Sequence, residues 1–121
     1  MTYTIPLTNQ VVRDSTIHQF EQLIANFYGA TYGIAVDSCT HAMELCMRFE
    51  KYDFVEVPTN TYLSVPLIMK KIGIRQWRWE DNQWEKYYYI GSTNIVDAAV
   101  CFEKNSYIPG TYFCLSFQQR K

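Results

Sequence analysis

Four short polar segments of the sequence carry residue types suited to binding an anion or moving a proton, and each follows an apolar run. They are Asp37-Ser38-Cys39-Thr40, Thr59-Asn60-Thr61-Tyr62, Asp97-Ala98-Ala99 and Ser116-Phe117-Gln118-Gln119-Arg120-Lys121. In a parallel α/β sheet, ligands bind where strands end and helices begin. We therefore expect these four segments to contribute to one site.

The segment at residues 37–40 joins a predicted strand to a predicted helix, with Ser38 and Thr40 at the helix entry. Backbone N–H groups at a helix N-terminus point toward an anion such as phosphate, and the helix dipole favours negative charge there. An ordinary N-cap at Ser38 or Thr40 is the commoner alternative.

The other three segments also leave alternatives open. Asp97 follows an apolar run, where a carboxylate is costly unless it is paired, and its partner could be a cationic ring nitrogen or a loop N–H. Tyr62 could stack on a ligand or be a core or surface aromatic residue. Taken alone, Lys121 is a solvated tail. The order of the four segments carries more weight than any one of them.

The composition argues against several classes of protein. Hydrophobic residues make up 48% and charged residues 19%, and the net charge of -1 predicts neither a nucleic-acid nor a membrane partner. The cysteines lack the clustered Cys and His spacing of a metal site. Met1 to Pro6 has neither the basic start nor the apolar stretch of a signal peptide, so we expect a cytoplasmic protein.

Apolar periodicity and breaker residues predict an alternation of helices and strands. The predicted helices span 16–28, 40–49 and 62–72, and the predicted strands span 32–36, 54–57, 74–79, 87–90, 94–98 and 112–117. We expect Pro66 to mark the first turn of its helix, and Gly29 and Gly73 to end theirs. The alternation favours a single α/β domain over 1–121, a three-layer sandwich with a mainly parallel or mixed central sheet.

Two of the helices have apolar residues that we expect to face the core. In the first helix these are Ile17, Phe20, Leu23, Ile24 and Phe27, and in the second they are Met43, Leu45, Cys46 and Phe49.

The same segments, in the same order, resemble motifs of the DegT/DnrJ/EryC1/StrS family. The run YGIAVDSCTHAM at 32–43 resembles that family's apolar strand followed by S-G-T-x-A-L, and VPTNTY at 57–62 resembles V-P-x-x-T-[YFW]. IVDAA at 95–99 is similar to V-[IV]-E-D-A-A, and FCLSFQQRK at 113–121 is similar to F-S-F-x-x-x-K. Phe20-Glu21 and Gly29 suit the family's opening helix.

This resemblance implies an activity and a cofactor. The family consists of fold-type I aminotransferases, which use pyridoxal 5'-phosphate and mostly aminate keto groups on nucleotide-linked sugars. The implied partners are a nucleotide-linked keto sugar, an amino-acid donor, and a second copy of the chain or a complementing chain. The likeness covers a shortened portion of the family's large domain.

The resemblance also implies roles for particular residues. Lys121 falls on the Schiff-base lysine, which holds the cofactor covalently and moves the proton. Asp97 falls on the aspartate that pairs with the pyridine nitrogen, and Tyr62 on the aromatic residue that stacks on the ring. Thr40, the backbone of Cys39, and Ser116 fall on positions that hold the phosphate.

The sequence departs from the family pattern in three ways. Cys39 replaces a glycine, and Val100 replaces a glutamine that contacts the ring hydroxyl. Only 36 positions separate Thr61 from Asp97, about half the family's usual span, and the rest of the family's length beyond Lys121 is absent.

Three functions are compatible with these residues. The chain could be a working aminotransferase, either minimal or half of a split enzyme. It could be a remnant that binds pyridoxal 5'-phosphate, or nothing, without turnover. It could also be an inactive oligomeric scaffold or interaction module. The retained polar residues favour the first two functions, and the shortness of the chain favours the last two.

Overall fold

The computed structural model describes residues 15–74, 76–81 and 83–117, which divide into two compact units. Of the described residues, one unit comprises those within 15–35 and 102–109, and the other comprises those within 36–101 and 110–117. The described elements, in chain order, are α1 Ser15–Tyr28, α2 Cys39–Glu50, β1 Phe54–Pro58, α3 Ser64–Ile72, β2 Gln76–Glu80, β3 Tyr88–Tyr89, β4 Ile95–Asp97 and β5 Tyr112–Cys114. Within this part of the chain, no helix is long and apolar enough to cross a membrane.

The first unit is built around α1. The helix ends at Gly29, whose φ of 79° supplies the left-handed conformation that terminates many helices. Phe27 stacks on Phe102 with ring centroids 4.8 Å apart, and the backbone N–H of Asn105 donates to the carbonyl of Phe27 at 2.8 Å. The predicted helix and its stop are confirmed.

The predicted strand at 32–36 is wrong, and the predicted core face of α1 is wrong at Ile17, Phe20 and Leu23, which are exposed. Residues 32–36 form no strand, and the N–H of Ala35 instead donates to the Glu21 carboxylate at 2.7 Å. Glu21 and Ala25 are buried. A Cβ on Gly33 would lie 2.7 Å from the Glu21 carbonyl oxygen. The chain therefore packs closely on a strip of α1 that includes Ala25, while Leu23 on the predicted face is 67% exposed.

The second unit contains the other two helices, each fixed at its ends by local backbone chemistry. Ser38 is the N-cap of α2, in extended conformation, and its hydroxyl accepts the N–H of His41 at 3.0 Å. Pro66 lies in the first turn of α3, where its missing N–H has no helical partner to lose. The helix then stops at Gly73, as predicted.

The strands of the second unit form two small sheets. β1 and β2 pair in parallel with α3 between them in sequence. In the other sheet, β4 lies between β3, which is antiparallel to it, and β5, which is parallel. One bridge joins Glu56 of β1 to Gly91, where an added Cβ would lie 2.5 Å from the Glu56 Cβ. Glycine is thus needed where the two sheets meet.

Helix α2 packs against a helix and against strands, since it contacts α3, β4 and β5. Met43, Cys46 and Met47 are its buried residues in the middle of the helix, whereas Leu45 and Phe49, predicted to pack, are 42% and 71% exposed. The predicted α/β class with parallel and mixed strand pairing is confirmed. The three-layer sandwich and the single-domain organisation stay predictions.

The C-terminal ends of α2 and α3 give a matched test of backbone strain. Lys51 and Gly73 both end a helix in the left-handed conformation, with φ of 58° and 74°. Lys51→Gly should raise the free energy of unfolding by about 0.5–1 kcal/mol, since only the lysine carries a Cβ penalty there. Gly73→Ala should lower it by about 1 kcal/mol, although no atom lies within 4 Å of the added Cβ. Urea denaturation followed by circular dichroism measures both changes in the free energy of unfolding. Changes of the same sign in the two variants would contradict the left-handed conformation assigned to Lys51 and Gly73.

Candidate functional site

The centre of the candidate site is the carboxylate of Asp97, the last residue of β4. Asp97 is 4% exposed. One carboxylate oxygen, Oδ1, accepts the N–H of Ala99 at 3.1 Å and lies 3.7 Å from the Cys39 thiol, while Oδ2 accepts the Tyr88 hydroxyl at 2.6 Å. Such donors make the burial of a carboxylate tolerable. The loop N–H that was one of the two expected partners of Asp97 is therefore present, at Ala99.

A directional chain of hydroxyl groups leads to this carboxylate. A carboxylate only accepts hydrogen bonds, so the single proton of Tyr88 points to Asp97. The Tyr88 oxygen then accepts from Thr61, whose Oγ1 lies 2.5 Å away. Burial, followed by the nearby Asp97 charge, raises the pKa of Tyr88 well above its ordinary value of 10.0. Tyr88 is thus held as a neutral donor.

The N-terminus of α2 lies beside the carboxylate because Cys39 is the first residue of that helix and contacts Asp97. Ser38 is an ordinary cap, which confirms the commoner of its two alternatives. Thr40 is left out of capping, and its hydroxyl donates to the Ser64 hydroxyl at 3.1 Å. Since Ser64 begins α3, the N-termini of two helices meet close to Asp97.

Strand register brings Ser116 to the same edge. β4 and β5 are parallel, and Asp97 is paired with Cys114, so the chain leaves both strands on the same side of the sheet. Ser116 follows two residues later and is half-buried. The structure thus brings Cys39 to Asp97 by contact and places Thr40 next to Cys39 in the first turn of α2. It brings Ser116 to the same edge by topology.

The contacts around Asp97 described above do not include the other residues singled out in the sequence. Tyr62 is 43% exposed, and its carbonyl accepts the N–H of Val65 at the start of α3. Val100 is 41% exposed. Lys121 lies outside the described residues, so its role stays a prediction.

Tyr88 also lines an open cavity of about 460 Å³. Its lining includes Trp84, Tyr88 and Lys86, but not Asp97. The Trp84 ring lies 4.8 Å from that of Tyr88, and its Nε1–H donates to the carbonyl of Asn60 at 2.6 Å. The volume falls within the range typical of small-molecule sites. Tyr88 therefore both lines this cavity and donates to the carboxylate.

The donor set around Asp97 fits a cationic ring nitrogen. The described part of the chain offers the carboxylate only neutral donors and no lysine or arginine within ion-pair distance. A carboxylate has about four acceptor positions, of which three are used here. Among the described residues no donor takes the fourth, on Oδ2, and a positively charged donor would fit there. Among the described residues, no group of three or more His, Cys, Asp or Glu could hold a metal.

Sequence reasoning missed Tyr88 as a site residue, although the strand that contains it was predicted. The signal was the run Tyr87-Tyr88-Tyr89, since alternation in a strand turns its middle residue to the opposite face. Tyr88 is the buried member and stands directly opposite Asp97 in the β3–β4 register. That register depends on long-range pairing, which the sequence does not display.

Comparison with known proteins identifies one family. The model of the DegT/DnrJ/EryC1/StrS aminotransferase family matches residues 5–80, which is more than half of the chain. The match includes Cys39, Thr40 and Tyr62, and it ends before Asp97 and Ser116. No curated protein and no solved structure matches the chain.

The raised pKa of Tyr88 predicts how stability depends on pH. In the unfolded chain tyrosine loses its proton near its ordinary value of 10.0, while folded Tyr88 keeps it. The unfolded state therefore binds fewer protons above about pH 10, and this contribution to stability falls there by about 1.4 kcal/mol per pH unit. Below about pH 10, the contribution of Tyr88 to stability is fully present.

Urea denaturation at pH 9 to 11 measures the effect, and Tyr88→Phe should show a smaller loss than the wild type over that range. Tyr62→Phe is the matched control, because Tyr62 is 43% exposed. Equal slopes for the wild type and Tyr88→Phe would contradict the assignment of Tyr88 as a buried donor.

Proposed function

The chain belongs to the DegT/DnrJ/EryC1/StrS aminotransferase family, and we propose that it binds pyridoxal 5'-phosphate and takes part in aminating a keto group on a nucleotide-linked sugar. The observation that carries this proposal is the buried Asp97 carboxylate, which accepts only neutral donors from the described residues and stands beside the first turn of α2. The amino group would come from an amino-acid donor.

Each residue would contribute a simple interaction. Asp97 would accept a hydrogen bond from the ring nitrogen and keep it protonated, which is the state in which the bound cofactor withdraws electrons from a reacting carbon. Thr40, Ser116 and the Cys39 backbone would hold the phosphate at the helix N-terminus. Tyr62 would stack on the ring, and Lys121 would hold the cofactor covalently and carry the proton.

Cys39 gives this site a contact that the family's usual glycine lacks. Its thiol lies 3.7 Å from Asp97 Oδ1, and the side chain is buried. The thiol therefore helps to satisfy the carboxylate, while the backbone N–H of Cys39 lies at the N-terminus of α2. We propose that the substitution preserves the anion site and adds a weak donor to Asp97.

A second function follows from the apolar surface of the second unit. Leu45 and Phe49 lie one helical turn apart on α2 and are both exposed. Large exposed apolar residues on one face commonly pack against a partner. A homodimer, or a pairing with a complementing chain, would serve an active enzyme, and the same contact would serve an inactive scaffold.

Covalent trapping tests the proposed enzyme function. Addition of pyridoxal 5'-phosphate to the purified protein, followed by borohydride, should attach the cofactor to Lys121, as read by peptide mass spectrometry. Asp97→Asn should reduce amino transfer far more than cofactor affinity, because a charge-assisted hydrogen bond contributes about 1.5–3 kcal/mol to the protonated ring. Lys121→Arg should abolish the label.

Lys70 and Lys71 on α3 provide the comparison for non-specific labelling, since both are exposed. Label spread over these residues with none on Lys121 would remove the enzyme proposal and leave the scaffold function.

Light scattering tests the proposed association. The wild type should have the mass of a dimer at micromolar concentration, and Leu45→Lys with Phe49→Lys should shift it toward the monomer by burying charge at the contact. Lys104→Glu, an exposed substitution in the first unit, is the control for altered charge alone. A monomer mass for the wild type would contradict the proposal.

A further inference from the structure

We propose that Tyr88 is a positioning residue that competes with a bound ring nitrogen for the Asp97 carboxylate. The phenol keeps the carboxylate hydrogen-bonded when no ring is bound, and it weakens the binding of a cationic ring to Asp97. This inference rests on the proposed function, because it concerns the same carboxylate.

The competition between Tyr88 and a ring nitrogen follows from the geometry around Oδ2. The Tyr88 hydroxyl donates to Oδ2 at 2.6 Å, the shortest of the three contacts to the carboxylate. The other oxygen, Oδ1, already accepts the Ala99 N–H and the Cys39 thiol. A cationic ring nitrogen must therefore share Oδ2 with the phenol or displace it.

The hydroxyl chain makes Tyr88 a strong competitor. Thr61 donates to the Tyr88 oxygen, and a hydroxyl that accepts a hydrogen bond becomes a better donor. The β3–β4 pairing sets Tyr88 directly opposite Asp97, and the Trp84 ring packs against the phenol. The phenol is thus fixed in place from three directions.

The chain also links the carboxylate to the segment that carries Tyr62. Thr61 immediately precedes Tyr62, and Ser64, two residues beyond it, accepts the Thr40 hydroxyl. A ligand that moves Tyr88 therefore acts on the same turn that would hold the ring. Loss of the phenol should free Asp97 for the nitrogen and leave the phosphate-binding groups unchanged.

Two phosphorylated ligands separate these contributions. Pyridoxine 5'-phosphate carries the ring nitrogen but no aldehyde, so its binding does not require Lys121, and its benzene counterpart has a C–H in place of the nitrogen. The ratio of their dissociation constants, measured by calorimetry, reports the contribution of the nitrogen alone. Tyr88→Phe should increase the preference for the pyridine ligand at least about fivefold over the wild type.

Two further variants keep the test specific. Thr61→Val retains the phenol but removes its donor, so it should change the preference in the same direction by a smaller factor. Tyr112→Phe is the matched control, because Tyr112 donates to the Glu50 carboxylate at the same distance of 2.6 Å on another part of the second unit. Its preference should equal that of the wild type. Circular dichroism confirms that each variant is folded at the temperature used.

The outcomes distinguish this inference from the proposed function. An unchanged or reduced preference in folded Tyr88→Phe overturns the competition, even where the wild type binds the pyridine ligand. An equal loss of affinity for both ligands assigns Tyr88 a structural role only and also overturns it. If neither ligand binds to any variant, the proposed function fails together with the inference.

Discussion

The structure of the second unit depends on satisfying one buried carboxylate. Asp97 ends the central strand of its sheet, and its three donors come from α2, from β3 and from the turn that follows β4. A carboxylate buried without such donors would destabilise the fold by several kcal/mol. The hydrogen bonds that make its burial tolerable are therefore the same contacts that join the helix and strands around the site.

The same arrangement brings several of the proposed site residues close together. Two of the positions proposed to hold an anion, Cys39 and Thr40, lie at the start of α2, where Thr40 contacts Ser64 of α3. Both helices begin at the same region because α2 packs on α3, β4 and β5. In family members a cofactor ring supplies a cation to the aspartate. Here Tyr88 and Cys39 provide neutral donors, which allows the carboxylate to be buried before any ligand binds.

Most helices, their end signals and the type of fold could be predicted from sequence, because they depend on local chemistry such as the Ser38 cap and the Gly73 stop. The strand at 32–36 could not, since the Ala35 N–H is taken by the Glu21 side chain. Cys39 and Asp97 were found through the motif order, and they do meet. Tyr88 was not found, because its role depends on the register between β3 and β4.

The most direct measurement of the central claim is the nitrogen-15 resonance of ring-labelled pyridoxine 5'-phosphate bound to the protein. A protonated pyridine nitrogen resonates far from an unprotonated one, so the signal reports whether Asp97 holds the proton there. We expect a protonated signal in the wild type that moves to the unprotonated position in Asp97→Asn, with binding retained. The same resonance in both proteins would contradict it.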